Sequence, residues 1–302
     1  IVWEQRSCVI TTDRKVVSYK PMGQLTSSFV ANEEEIRNFL CRPNMKKQDG
    51  IMFAYVTSAE KLAEVVPKPL KVVAPVIMGY VTHMGDPTFA APYDEAVLYA
   101  FVSYQDKIMG AYPFVLYLSG EGAEEAMIAG REGACMPKKL ADDIKIEKSE
   151  NKVQAKIIRH GTEILNLKWE AGVPNDIETV KKMFGSQVKL GEPSEMASFF
   201  INYDIEQQDD GSNKFVNTEL IATQSTGLTT DMEIGKIDMK LTSSEDDPLA
   251  ELEILKPVGG AHYKMDYSVM HKTLKLDSLN PEEIAPYLIT GHYDRTFVTK
   301  QD

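Results

Sequence analysis

Two consecutive lysines, Lys138 and Lys139, follow a proline in the string Gly130-Arg131-Glu132-Gly133-Ala134-Cys135-Met136-Pro137-Lys138-Lys139-Leu140. Pro137 fixes its own φ and biases Met136 toward extended backbone. A helical run over 123–131 is therefore expected to stop and pass into an extended segment, from which Lys138 projects. An amine attacks a carbonyl only when unprotonated, and a lysine near its reference pKa of about 10.4 is almost fully charged at neutral pH. Burial can lower that value by up to about 3–5. A second ammonium about 8 Å away, at an effective dielectric near 20, would lower it by about 1.5. Neighbours in an extended segment point to opposite faces. Desolvation of Lys138 is thus expected to be the larger effect, with Lys139 assisting.

Tandem lysines alone are weak evidence, since Lys46-Lys47 and Lys181-Lys182 repeat the pattern. The whole string carries more. G-R-E-x-x-x-x-P-K-K-L resembles the lysine segment of the acetoacetate decarboxylase family, a group of Schiff-base enzymes. Val65-Val66-Pro67-Lys68-Pro69-Leu70 is similar to that family's V-V-P-x-P-L segment, and Tyr93-Asp94-Glu95-Ala96 to its Y-x-E-[SA] segment. A weaker likeness runs through Ile201-Asn202-Tyr203 to about residue 270, so the resemblance covers roughly 45–270.

The resemblance implies that Lys138 forms the Schiff base, that Lys139 supports it, and that Glu95 orients substrate or moves a proton beside it. It also exposes two departures. The family carries an arginine suited to a substrate carboxylate; counting back from Tyr55-Val56-Thr57, that position is Gln48. A neutral amide cannot form the bidentate charged clamp, and Lys46 or Lys47 would offer only a flexible point charge. Met136 stands where the family usually has an aromatic. Gln48 and Met136 are therefore expected in the substrate pocket, and acetoacetate as substrate is in doubt.

The elements that must position these residues read as mainly β. Runs at 51–57, 71–82, 97–104 and 112–118 are rich in Val, Ile, Phe and Tyr. Asp86-Pro87 and Ala91-Pro92 mark a loop leading to Tyr93 and Glu95. A meander is expected over 143–147, 152–159 and 163–169. Further strands fall at 198–205, 214–222, 234–241 and 251–263, with a turn at Gln208-Asp209-Asp210-Gly211-Ser212. Short helices are expected at 33–40 behind Asn32, at 59–66 behind Ser58, at 176–184 behind Asn175, and from Pro281. Many strands and few helices argue for a closed or strongly curved antiparallel sheet. The resemblance implies a cone-like antiparallel β-barrel with flanking sheets. One domain over 1–302 is expected: a core at about 45–270, an N-terminal arm at 1–44 with strands at 9–12 and 15–19, and a C-terminal extension at 271–302. The arm is read as packing on the main domain or on a neighbouring subunit, which suits a homo-oligomer.

Hydrophobic residues make up 43% and charged residues 26%, a globular balance. A net charge of −12 disfavours nucleic acid and anionic membrane as partners. Cys8, Cys41 and Cys135 are too few and scattered for a disulfide framework or zinc ribbon, which fits a reducing, cytoplasmic setting. No signal-peptide pattern and no apolar stretch of spanning length is visible. His83, His160, His262, His271 and His292 show no metal-ligand spacing. Ser119 lacks the G-x-S-x-G setting, and Gly120-Glu121-Gly122 lacks the third glycine of a dinucleotide fingerprint.

The expectation is a cofactor-independent, metal-free Schiff-base lyase for a small keto acid, foremost a β-keto acid decarboxylase. The same iminium serves an aldol, dehydration or double-bond shift, so a non-decarboxylating lyase or isomerase stands as the alternative, favoured by Gln48. A catalytically silent ligand-binding barrel is the third reading.

Overall fold

The computed structural model describes residues 8–12, 15–19, 28–184 and 189–298. Strands β1 (Cys8–Thr12) and β2 (Lys15–Tyr19) form an antiparallel pair of their own. Helix α1 (Glu33–Phe39) follows, its first turn capped by Asn32 and Glu35 in a reciprocal box. The remaining chain gives β3 (Asn44–Val56), α2 (Ala59–Val65), β4 (Lys71–Pro87), β5 (Tyr93–Tyr104), β6 (Ile108–Ser119) and α3 (Ala123–Ala134). After these come β7 (Lys138–Leu140), β8 (Asp143–Ser149), β9 (Lys152–Arg159), β10 (Thr162–Ala171) and α4 (Ile177–Phe184). Strands β11 (Pro193–Gln207), β12 (Asn213–Leu241) and β13 (Lys256–Ser278) precede α5 (Pro281–His292) and α6 (Arg295–Val298).

All strands after β2 join one sheet ordered β11-β6-β5-β4-β3-β13-β12-β10-β9-β8, with β7 added parallel to β6. Strand β11 also pairs with β12, so seven strands form a ring. The ring returns on itself through one parallel bridge, Ser198 to Ala111. Strands β10, β9 and β8 extend from β12 as the flanking sheet, which accords with the expected cone-like β architecture. Among the described residues no helix is long and apolar enough to cross a membrane.

Two faces of the sheet are buried differently. Ile51, Phe53, Tyr55, Val81, Leu98, Tyr117, Ile157 and Leu167 belong to the main core. A smaller cluster of Met84, Ala90, Tyr93, Leu118, Ala123 and Ala126 lies where α3 meets β4, β5 and β6. Alternation puts successive strand residues on opposite faces, so β4, β5 and β6 feed both clusters.

Several elements differ from the sequence reading. Glu95 lies inside β5 rather than in a loop, because pairing to β4 begins at Tyr93, directly after Pro92. Residues 214–222 and 234–241 belong to the single long β12, which stays paired to β13 through bulges near Leu228 and Asp231. Asp176 rather than Asn175 caps α4, accepting from the Thr179 N–H at 3.1 Å. Asn175 instead clasps the Ile237 backbone, donating to its carbonyl and accepting from its N–H.

Candidate active site

Helix α3 ends in a left-handed residue, Cys135 at φ 55°, whose N–H donates to the Arg131 and Gly130 carbonyls. The Met136 N–H donates to the Gly130 carbonyl. This cap closes the helix, and Pro137 prevents its continuation. The chain leaves as β7, in which Leu116 is opposite Lys138 and Tyr117 opposite Lys139. Lys138 and Lys139 are each only 3% exposed.

Lys138 shares a face with residues gathered from four other strands, β3 to β6. One register row runs Met52, Tyr80, Val97, Leu116, Lys138; the next runs Gly50, Thr82, Glu95, Leu118. The Lys138 ammonium donates to Glu95 Oε2 at 2.9 Å and to the Ala126 carbonyl of α3 at 3.3 Å. The Tyr80 hydroxyl donates to the other Glu95 oxygen at 2.6 Å. The Tyr93 ring lies 5.8 Å from the ammonium. Burial, with the nearby Glu95 carboxylate, pushes the phenols of Tyr80 and Tyr93 well above their ordinary pKa. Both remain hydrogen-bond donors at neutral pH. The buried hydroxyl of Tyr93 has no hydrogen-bond partner, and that of Thr82 lies against the Tyr263 phenol. A buried donor left unpaired is open to a ligand's acceptor.

The methylenes of Lys138 lie against Gly130 of α3. A Cβ there would come within 2.7 Å of Lys138 Cδ and Cε. A side chain at position 130 would therefore push the Lys138 stem from its present path toward Glu95.

Lys139 faces the other way. Its ammonium donates to Asp247 Oδ1 at 3.0 Å, to the Asp246 carbonyl at 2.9 Å and to the Thr290 carbonyl at 3.2 Å. It also pairs with Asp294 at 3.1 Å. Arg159 bridges the same two carboxylates, at 2.9 Å to Asp247 and 2.6 Å to Asp294, and Tyr117 donates to Asp247 at 2.9 Å. Burial would raise the Asp294 pKa, but Lys139 and Arg159 more than offset this and hold it below the ordinary carboxylate value. Two cations and two carboxylates neutralise one another, so the geometry gives Lys139 an anchoring position rather than a place beside Lys138.

Gln48 is buried on the Glu95 face, in the row with Met84 and Tyr93, and its amide donates to the Met45 carbonyl at 3.2 Å. Met136 is half-buried in the turn between Cys135 and Pro137. The structure therefore brings Lys138, Glu95 and Gln48 to one face and separates Lys139 from them. Tyr80, Thr82, Asp247, Asp294 and Arg159 were not singled out from sequence. Tyr80 and Thr82 carry no motif, and the ionic partners of Lys139 lie far away along the chain.

His160, Asp246 and Asp294 come within 4.8 Å of one another. Asp246 accepts from Thr296, while Asp294 is held by Lys139 and Arg159. The cluster thus sits among cations, and it belongs to the anchoring network.

A strongly curved, mostly antiparallel sheet holding a buried lysine–carboxylate pair at the end of a helix defines a fold class with an amine at its centre. Residues 30–279 match the family model described as acetoacetate decarboxylase, and the chain belongs to that family of enzymes. A CLA biosynthesis isomerase from Lactiplantibacillus plantarum is 50% identical over 271 residues, 90% of this chain and 96% of that protein. The acetoacetate decarboxylase from Legionella pneumophila superposes with a TM-score of 0.62 at 18% identity, covering 78% of this chain and 88% of the other. The enduracididine biosynthesis enzyme MppR, complexed with a condensation product of pyruvate and imidazole 4-carboxaldehyde, superposes with a TM-score of 0.58 at 10% identity, covering 79% and 90%. At these identities the two structures share the fold.

Proposed function

We propose that this protein is a Schiff-base isomerase that shifts a carbon–carbon double bond in an unsaturated ketone. The observation that carries the reading is the buried Lys138–Glu95 pair at 2.9 Å, with Tyr80 holding the far carboxylate oxygen. The relative at 50% identity that is named an isomerase supports it, as does the neutral Gln48 on the same face.

Glu95 takes a proton from the Lys138 ammonium. The free amine then adds to the ketone carbon, and in this reading the unpartnered Tyr93 hydroxyl donates to the carbonyl oxygen. Loss of water gives an iminium. In a β,γ-unsaturated ketone the carbon between iminium and double bond is acidic; Glu95 removes its proton and a dienamine forms. Reprotonation at the γ carbon moves the double bond into conjugation, and water releases the conjugated ketone and the amine. Atoms and electrons balance without an external redox partner. General acid–base help of this kind typically contributes about 10²–10⁴-fold.

Decarboxylation uses the same iminium and is the second reading, favoured by the family match. It needs a carboxylate oriented for departure, and Gln48 offers a neutral amide where a cation would hold it.

The test is to supply a β,γ-unsaturated ketone in deuterated water. The expected result is a rise in conjugated-enone absorbance with deuterium at the γ carbon, and borohydride capture of substrate on Lys138. Carbon dioxide release from a β-keto acid, with no double-bond shift in the unsaturated ketone, would overturn the isomerase reading in favour of the decarboxylase.

A further inference from the structure

Strand β7 is three residues long and, among the described residues, pairs with β6 alone. On that edge the Leu116 N–H donates to the Pro137 carbonyl and the Ala141 N–H to the Leu118 carbonyl, each at 2.8 Å. So short an edge pairing leaves much of the lysine's placement to whatever meets the strand from its other side.

What meets it is the C-terminal segment, from the last turn of α5 to Thr296. This segment lies beyond residues 30–279, the stretch that matches the family model. The His292 ring lies against the Cys135 backbone. Gly291 packs on Pro137 and on β6: a Cβ there would come within 2.8 Å of Pro137 Cβ and 2.4 Å of the Phe114 carbonyl oxygen. The Lys139 ammonium donates to the Thr290 carbonyl and pairs with Asp294. Asp294 also accepts from the Arg159 guanidinium at 2.6 Å, and Arg159 Nε donates to the Leu140 carbonyl at 3.0 Å. Thr296 closes the clasp: its N–H and hydroxyl donate to Asp246, whose carbonyl accepts from Lys139.

Residues 135, 137, 139 and 140 are thus tied to this one segment, directly or through Arg159, while Lys138 points away from it to Glu95. Asp294 reaches both cations behind the strand.

We propose that Asp294 is a positioning residue for the Lys138 amine, fixing β7 from behind through Lys139 and Arg159. The inference rests on Lys138 forming the Schiff base. A misplacement of about 1 Å at a reacting group can cost about 10²-fold in rate, so a clasp that never touches substrate still sets turnover.

The probe is 2-butanone, which can form an imine but has no carboxylate to lose and no carbon–carbon double bond to move. Its borohydride capture on Lys138 is followed by peptide mapping against ketone concentration, with rates expressed per folded molecule from circular dichroism. The proteins compared are the native chain, Asp294→Asn, Thr296→Val and, as a control for stability alone, Ile157→Val in the core face of β9. Asp294→Asn should lower the maximal capture rate about 10-fold and leave the half-saturating ketone concentration within about twofold. Thr296→Val removes one hydroxyl and leaves both cations paired, so it should fold, and it should lower the same rate about 2–3-fold. Ile157→Val should capture at the native rate per folded molecule. Asp294→Asn matching that control, or Thr296→Val at the native rate where Asp294→Asn does not fold, would overturn the proposal. A native protein that captures no ketone on Lys138 would overturn the Schiff-base reading, and this inference with it.

Discussion

Lys138 and Lys139 are adjacent, equally buried and chemically identical, yet their surroundings differ in kind. Lys139 meets two carboxylates and two backbone carbonyls, with Arg159 and Tyr117 completing the carboxylates. Every donor has a fixed acceptor, and moving one proton would leave an unbalanced charge in the interior. Lys138 meets one carboxylate and one carbonyl, beside a tyrosine, Tyr93, whose hydroxyl has no partner. A proton passed from Lys138 to Glu95 leaves both groups neutral. A saturated network anchors; an unsaturated pair can change partners.

The largest effect that sharpens this contrast is on turnover. Lys138→Ala should abolish borohydride trapping and lower kcat/KM by at least about 10⁴-fold, a scale seen when an enzyme loses its nucleophile. Trapping that persists in this variant would place the Schiff base elsewhere. Glu95→Gln should lower kcat by about 10²–10⁴-fold while slow adduct formation on Lys138 survives; an unchanged rate would remove Glu95 from proton transfer.

Lys139→Met should act on the fold first. Removing one partner of a buried ion network costs about 3–5 kcal/mol, because a buried carboxylate is left uncompensated. Chemical denaturation should show that loss, and borohydride should still trap Lys138 in the folded fraction. A stable variant with a shifted pH–rate profile would instead mean that Lys139 acts on the Lys138 amine. A smaller effect is expected from Tyr80→Phe. It deletes one hydrogen bond to a charged acceptor, about 1.5–3 kcal/mol, and should slow turnover by about 10–100-fold without moving the adduct.

His292 supplies a pH test on stability. Its folded pKa of about 4 lies below the ordinary 6.5, mainly through burial. The unfolded chain therefore binds more protons in that window. The stabilisation is fully present above pH 6.5 and is lost as pH falls through 4, up to about 3 kcal/mol. Urea midpoints of native protein and His292→Phe, measured from pH 7 to pH 4, should converge as the acid limit is approached. Parallel curves would show that the ring is not buried as a neutral base.

Much of the arrangement could be read along the chain where its cause is local. The capping residues Asn32 and Ser58, the helix start at Pro281, and the helix stop before Pro137 follow from backbone sterics and orphan N–H groups. The β-rich class follows from the Val, Ile, Phe and Tyr runs. The lysine string and the Tyr-Asp-Glu segment are short and contiguous, so their partnership was open to recognition. What escaped notice depends on distant pairing. Residues 223–233 have strand-favouring threonines, but Gln224, Ser225, Gly227 and Asp231 break any apolar alternation, and it is pairing with β13 that holds them extended within β12. Tyr80 is one tyrosine among 13, and only the register of β4 against β5 puts it beside Glu95. Asp247 and Asp294 lie more than 100 residues beyond Lys139, and no periodicity links them.

Strand β7 is three residues long and takes its orientation from Leu116 and Tyr117 of β6. The pleat works there as a sorter: one position delivers a side chain to the Glu95 face, the next to the ionic anchor. A repeated lysine in this setting is no spare copy. If Lys138 is lost, its neighbour cannot substitute by a rotamer change; the strand would have to slip by a residue, and every neighbour would change sides with it. Insertions or deletions between Cys135 and Leu140 should therefore be tolerated far less than substitutions at either end, because they would exchange the destinies of the two amines.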